Sequence, residues 1–266
     1  MRGPEPRFRP VRTGLKRGHE IAKLLSRSLA RGEARRLGWG MPITPPAADP
    51  VSPTREIICA DAIGWMRARG RIEGACAVTS LPDVSEIGQA LAVWREWFAG
   101  AVRLVVEAVP EDSAAVFFQS DIKRDGEWID KGAMVMRAAG DAGARVLFHK
   151  IVCRRPPGML TQGRPGFTHL IAVSRAMRCP DILPIPDVIS DAGRSLWVRA
   201  MGVRAAAHGV RFARDQVGAK LIFDPFCGVG TIPAVANALG LDALGIELAK
   251  KRCEQSRAQR VTLGEL

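Results

Sequence analysis

Two carboxylates and two glycines stand in this chain at the spacing a nucleotide site needs. The turn Asp224-Pro225-Phe226-Cys227-Gly228-Val229-Gly230-Thr231 follows an apolar run, and Glu247 closes a second apolar run 23 positions after Asp224. Glycines in such a turn let a ligand lie against bare main chain, and the helix that follows offers its free N–H donors to an anionic group. An acidic side chain about 20 positions beyond a glycine turn is where a βαβ unit hydrogen-bonds ribose hydroxyls. The same residues without a ligand make an ordinary tight strand-to-helix connection. A second chemical stretch, Ser80-Leu81-Pro82-Asp83, follows an apolar run far upstream. Asp83 is placed there either to accept a proton or a substrate N–H, or to cap the next helix through the N–H of Ser85 or Glu86. Weaker candidates are Asp121, Lys123, His149, Lys150, Arg164 and His169, each with an ordinary reading as a turn former, a core group or a solvated charge.

The elements that must position these groups are legible from apolar periodicity and breakers. Short apolar runs predict strands over 57–60, 74–79, 114–119, 145–153, 167–174, 221–223 and 243–246. Helical spacing predicts helices over 62–69, 86–108, 132–142, 196–214 and 232–239. The aromatics Trp94, Trp97 and Phe98 read as core of the long helix, and 177–191 reads as irregular and punctuated by proline. Strands alternating with helices predict an α/β sandwich around a largely parallel sheet.

The turn resembles the first motif of the S-adenosylmethionine-dependent methyltransferases, specifically the amino-methyltransferase branch with a pattern near D-P-F-x-G-x-G-T. The resemblance implies S-adenosylmethionine as cofactor, with Asp224 near the methionine amino group and Gly228 and Gly230 under the cofactor. Glu247 falls on the ribose, and Phe226, Cys227, Thr231 and Leu248 complete the cofactor set. Fewer than twenty residues follow Glu247, so the catalytic half must lie upstream and the motif order is permuted. In the resembling branch, Asp61 then matches the acidic position facing the adenine. Ser80, Pro82 and Asp83 stand where a [D/N/S]-P-P-[Y/F/W] signature directs an amine at the methyl donor. Ser80 and Pro82 match it, whereas Leu81 replaces a proline and Asp83 replaces the aromatic that stacks on the target base. Stacking must then come from elsewhere, with Trp94 and Phe118 as candidates, or the substrate differs. The implied fold is a Rossmann-like methyltransferase sandwich with a mostly parallel twisted sheet, catalytic half 56–175 and cofactor half 195–266.

Charge points toward the partner. The net charge is +12, and residues 1–55 carry 12 Lys/Arg against 4 Asp/Glu while residues 56–266 carry 27 against 23. A basic, Pro-rich extension with a helix expected over 19–37 suits a polyanion-binding arm, a solvated tail or an organelle transit peptide. The interval between the two halves is too short for a separate target-recognition domain, so structured RNA, recognised by shape and backbone charge, is expected over DNA. The alternatives are a DNA amino-methyltransferase acting with a partner or on single strands, a small-molecule or protein methyltransferase, and a degenerate RNA-binding subunit. Six cysteines without metal-ligand spacing predict reduced core residues and no metal site. No apolar run is long enough to span a membrane, so an intracellular soluble protein, cytoplasmic, nuclear or organellar, is expected.

Overall fold

The computed structural model describes residues 52–179, 185–197 and 200–266. The basic extension and its expected helix lie outside the described residues. In chain order the strands are β1 (Arg55–Cys59), β2 (Ala75–Thr79), β3 (Ala115–Gln119), β4 (Ile122–Arg124), β5 (Glu127–Ile129), β6 (Arg145–Cys153), β7 (Phe167–Ser174), β8 (Val188–Ile189), β9 (Leu221–Asp224) and β10 (Asp242–Glu247). The helices are α1 (Ala62–Arg69), α2 (Val84–Ile87), α3 (Leu91–Ala108), α4 (Lys131–Asp141), α5 (Val203–Phe212), α6 (Thr231–Ala238) and α7 (Lys250–Ala258).

Eight strands form one sheet in the order β1-β10-β9-β2-β3-β7-β6-β8, and β4 and β5 form a separate hairpin. From β1 to β3 every pairing is parallel, while β7 runs antiparallel to both β3 and β6. The central strands are apolar on both faces because helices cover both. In β2, Ala75 and Ala77 face one core with Trp94, Phe98, Val102 and Val105 of α3, and Cys76 and Val78 face the other with Ala206 and Val210 of α5. Trp94, Phe98 and Phe223 are fully buried, so truncating Phe98 to Ala costs about 3–5 kcal/mol.

One topological feature locates the site. From β9 the chain passes through α6 to β10 on one side, and from β2 it passes through α2 and α3 to β3 on the other. The two connections diverge at the β9/β2 boundary, and in open α/β sheets the crevice beyond the carboxyl ends at such a point holds the ligand. The cofactor strand therefore sits beside the strand that precedes Ser80, although 145 positions separate their facing residues Thr79 and Asp224.

Several expectations change. The segment expected as one helix over 86–108 is two, since Gly88 takes a left-handed conformation and closes α2. The helix expected from 196 starts only at Val203, since Gly202 is its cap and pairs with Ser195 in an isolated antiparallel bridge. It ends in a π turn over Ala213–Val217, closed by Gly218. Cys76, Cys227 and Cys253 are buried, but Cys59 and Cys179 are exposed rather than core residues. Among the described residues no helix is long and apolar enough to cross a membrane.

Candidate active site

A cavity of about 530 Å³ opens at the switch point, within the size range of small-molecule and cofactor sites. Asp61, Ser80, Pro82, Asp83, Asp224, Phe226, Cys227, Gly228, Thr231, Glu247 and Leu248 all line it. Gly230 is the exception. A Cβ there would lie 2.3 Å from Ser256 Oγ and 2.8 Å from Ser256 Cα, so this glycine, at φ +85°, serves the approach of α7 rather than the cavity floor. Gly228, at φ +53°, does face open space, since a Cβ there meets nothing within 4 Å.

The cofactor half builds a graded set of polar groups. Asp224 ends β9 fully buried, and its Oδ1 accepts from Thr79 Oγ1 at 2.7 Å and from the Phe226 N–H at 3.2 Å. Burial pushes its carboxyl up to about 7, with the Glu247 charge adding to the rise and the two hydrogen bonds opposing it. Such a group gains from a cation. Thr231 starts α6, and its buried Oγ1 has no partner among the described residues. Gly230, the cap of α6, brings no side chain to satisfy the first-turn N–H groups, and since Pro233 has none, the Thr231 and Ile232 N–H groups are the donors the helix start presents to an anion. Glu247 ends β10 with Oε1 accepting the Ala249 N–H at 2.8 Å and ion-paired with Arg252 at 3.8 Å. Asp61 caps α1 by accepting from the Gly64 N–H at 2.7 Å while lining the far wall. A cation acceptor, an anion-binding helix start and a diol acceptor in one cleft fit the amino acid and ribose of S-adenosylmethionine.

Across the cavity, Ser80 and Pro82 stand at the end of β2. Pro82 is held by Trp94, whose indole N–H donates to its carbonyl at 3.3 Å. Trp94 and Phe118 are buried beneath the site, so neither can stack on a substrate. Asp83 caps α2, with Glu86 accepting its N–H at 2.9 Å, but its side chain is turned to two cations. Lys131 Nζ, itself only 3% exposed, ion-pairs with Oδ1, and Arg164 reaches Oδ2 at 3.1 Å. Burial pulls the Lys131 ammonium down and the Asp83 charge raises it again, with burial prevailing. Asp83 thus spends both oxygens on neighbours, which is the arrangement of a structural acceptor rather than of a base awaiting a proton.

Other groups were misjudged or missed in the sequence. Trp97, read as core, does pack against it but is only half-buried; it also lines the cavity and meets Phe226 edge-on at 5.9 Å between ring centres. Trp197 also lines it, with the Arg252 guanidinium 4.8 Å over its ring; the helix expected over 196–214 had assigned it to regular structure, but it precedes the helix start at Val203. His169 is buried and bonded to Asp121 at 3.0 Å and to His149 at 2.8 Å, so it is not free to hold phosphate. Asp130 stands near Asp121 and His169, bringing three metal-capable atoms within 4.8 Å of one another. Their hydrogen bonds are used locally, however: Asp121 also accepts the Lys131 N–H at 2.8 Å and the Trp128 indole at 3.1 Å, and Asp130 accepts the Ala133 N–H at 2.8 Å. Burial works to raise the Asp121 carboxyl, but the bonds from His169, Lys131 and Trp128 hold it below the usual range.

Comparison with known proteins agrees with this geometry. Residues 218–258, the segment from before β9 to the end of α7, match the N6/N4 methyltransferase family model described as DNA methylase. No curated protein sequence matches the chain. Among solved structures, a putative DNA modification methylase of Thermus thermophilus complexed with S-adenosyl-L-methionine is 18% identical, with a TM-score of 0.60 over 77% of this chain and 93% of that one. The PvuII DNA methyltransferase, cytosine-N4-specific, is 11% identical with a TM-score of 0.63 over 77% and 86%. The M1.HpyAVI complex with the same cofactor is 14% identical with a TM-score of 0.53 over 77% and 98%. At these identities the structures share the fold, and the matched segment carries the cofactor motif. The family likeness therefore rests on the segment that carries the glycine turn, α6 and Glu247, and the structural likeness rests on the fold.

Proposed function

We propose that this protein methylates a nitrogen of a nucleic-acid base, with structured RNA as the substrate class. The observation that carries the reading is the meeting of Ser80, at the end of β2, with Asp224 and Glu247 around one cavity. Bound S-adenosylmethionine supplies a methyl carbon made electrophilic by its sulfonium. Asp224 takes the cofactor ammonium through its free Oδ2, Thr231 and the start of α6 take the carboxylate, and Glu247 takes the ribose hydroxyls. Ser80 would accept a hydrogen of the substrate amine, turning the nitrogen lone pair toward the methyl carbon; as the N–C bond formed, the methyl C–S bond would break to leave a neutral thioether, and the methylated nitrogen would give up its proton to solvent. Holding the two reactants in line is the main catalytic contribution asked of the protein. Trp97 supplies the aromatic wall that position 83 lacks, and the base must leave its stack to reach it.

RNA is preferred because the described residues between β7 and α5 contain only β8, and because basic charge is concentrated in the extension at 1–55. A second reading, a DNA amino-methyltransferase, is favoured by the family model, whose description is DNA methylase. Incubation with isotopically labelled S-adenosylmethionine and either total RNA or DNA, followed by mass spectrometry of the nucleosides, decides between them and names the methylated atom. Label found on neither nucleic acid overturns the reading.

A further inference from the structure

We infer that the loop between β6 and β7, residues 154–166, is a phosphodiester-binding element that grips the strand next to the target base. The inference rests on the nucleic-acid reading above. Register places this loop on the rim of the site. His169 pairs with Gln119 at the carboxyl end of β3, and Cys153 pairs with Phe167, so the chain between them emerges beside Ser120, a cavity-lining residue.

A second cavity of about 330 Å³ is enclosed by this loop, and Arg154, Arg155 and Arg164 line it. Arg154 and Arg164 also line the main cavity, so the two spaces adjoin. Asp83 pairs with Arg164 at 3.1 Å through one oxygen and with buried Lys131 through the other, so its single charge is already shared and leaves Arg154 and Arg155 without an ion pair among the described residues. Burial, then Arg164 and Arg155, lower the Arg154 guanidinium, and the Asp83 charge offsets this only in part, as expected where three guanidiniums share one carboxylate. Three forked donors around a concavity suit the bidentate recognition of a phosphate.

The tip of the loop carries the opposite character. Leu160 is 98% exposed and Met159 57%. Apolar side chains held out beside arginines gain burial only when a partner arrives, and the bases flanking a phosphodiester provide an apolar face next to the charge. A protein partner with an acidic surface would satisfy the charge but would not link it to the adjoining base pocket.

The experiment measures anisotropy of a fluorescein-labelled stem-loop RNA, and of a single-stranded DNA of the same sequence, against full-length protein over a series of salt concentrations. Arg155→Gln is expected to lower the slope of log affinity against log salt by about 1 and to weaken binding several-fold on both probes. Leu160→Ser is expected to weaken binding several-fold with the slope unchanged. Calorimetry with S-adenosylmethionine should return the parent's affinity in both variants, because neither residue lines the main cavity. Parent-like affinity and slope in Arg155→Gln, with the parent binding normally, overturn the inference while the proposed function stands. A parent that binds neither probe overturns both.

Discussion

Cofactor affinity should depend on pH through Asp224. Its carboxyl, fully buried at the end of β9, sits at about 7 instead of 3.8. That rise corresponds to about 4 kcal/mol of disfavour for the charged form in the cofactor-free protein. A bound ammonium needs the ionised form. With the group at about 7, roughly a tenth of the molecules are ionised at about pH 6 and roughly nine-tenths at about pH 8, so affinity should fall about tenfold from the higher pH to the lower. Binding near pH 6 should release close to one proton per cofactor, read by calorimetry in buffers of different ionisation enthalpy. Stability moves the opposite way. The folded value lies above the unfolded one, so the contribution of the protonated group is full below about pH 4 and is lost as pH rises through about 7, at about 1.4 kcal/mol per pH unit. The stability of the parent relative to Asp224→Asn should therefore decline across that window, and the variant should show no proton release from this site. Methylthioadenosine, which lacks the amino acid, should bind with little pH dependence. A flat affinity for S-adenosylmethionine between about pH 6 and pH 8, or the same pH dependence in Asp224→Asn, refutes the placement of the ammonium at this carboxylate.

The two glycines of the turn should fail in different ways. Gly228→Val should abolish cofactor binding in calorimetry, because the side chain enters open cavity, at a modest cost in melting temperature from backbone strain at φ +53°; Gly230→Ala should lower the melting temperature further, because its methyl also collides with Ser256 of α7. Asp83→Asn leaves Lys131 buried and unpaired, so it should cost about 3–5 kcal/mol in denaturant unfolding, and adding Lys131→Met should restore most of that loss. Full stability with turnover abolished would instead identify Asp83 as a catalytic base. Trp97→Ala should raise the KM for nucleic acid by about tenfold while the cofactor Kd stays near that of the parent, consistent with base stacking worth about 1–3 kcal/mol; a normal KM removes Trp97 from the substrate wall.

The cofactor half was readable because its chemistry is local. Asp224, the glycine turn, Thr231 and Glu247 all fall within one βαβ unit, whose strands are apolar apart from charged residues at their ends and whose helix carries proline only where no N–H is needed. The sheet was readable for the same reason: strands buried on both faces are short apolar runs. The β4–β5 hairpin carried a signal that was passed over, since Asp125-Gly126 at φ +52° and +80° is the two-residue turn that joins twisted strands. Helix α7 carried almost none. Only Cys253 and Ser256 of its nine residues are buried, so its sequence shows no stripe, and packing on β1 and β10 rather than periodicity makes it a helix.

What sequence could not show is the pairing that explains Asp83. Its partners Lys131 and Arg164 lie at the start of α4 and in the loop before β7, and they meet only because β3 and β7 are neighbours in the sheet. Read alone, Asp83 is a defect in a signature that ends in an aromatic. Read with Lys131, it is one half of a buried exchange in which an ion pair occupies the place of an aromatic ring, and the stacking wall is then proposed for α3. The exchange is coupled. Asp83→Phe by itself should strand a buried ammonium and destabilise the protein, whereas Asp83→Phe with Lys131→Met should fold and bring an aromatic ring to the end of β2. A double variant no more stable than Asp83→Phe would show that position 83 is set by the substrate and not by Lys131.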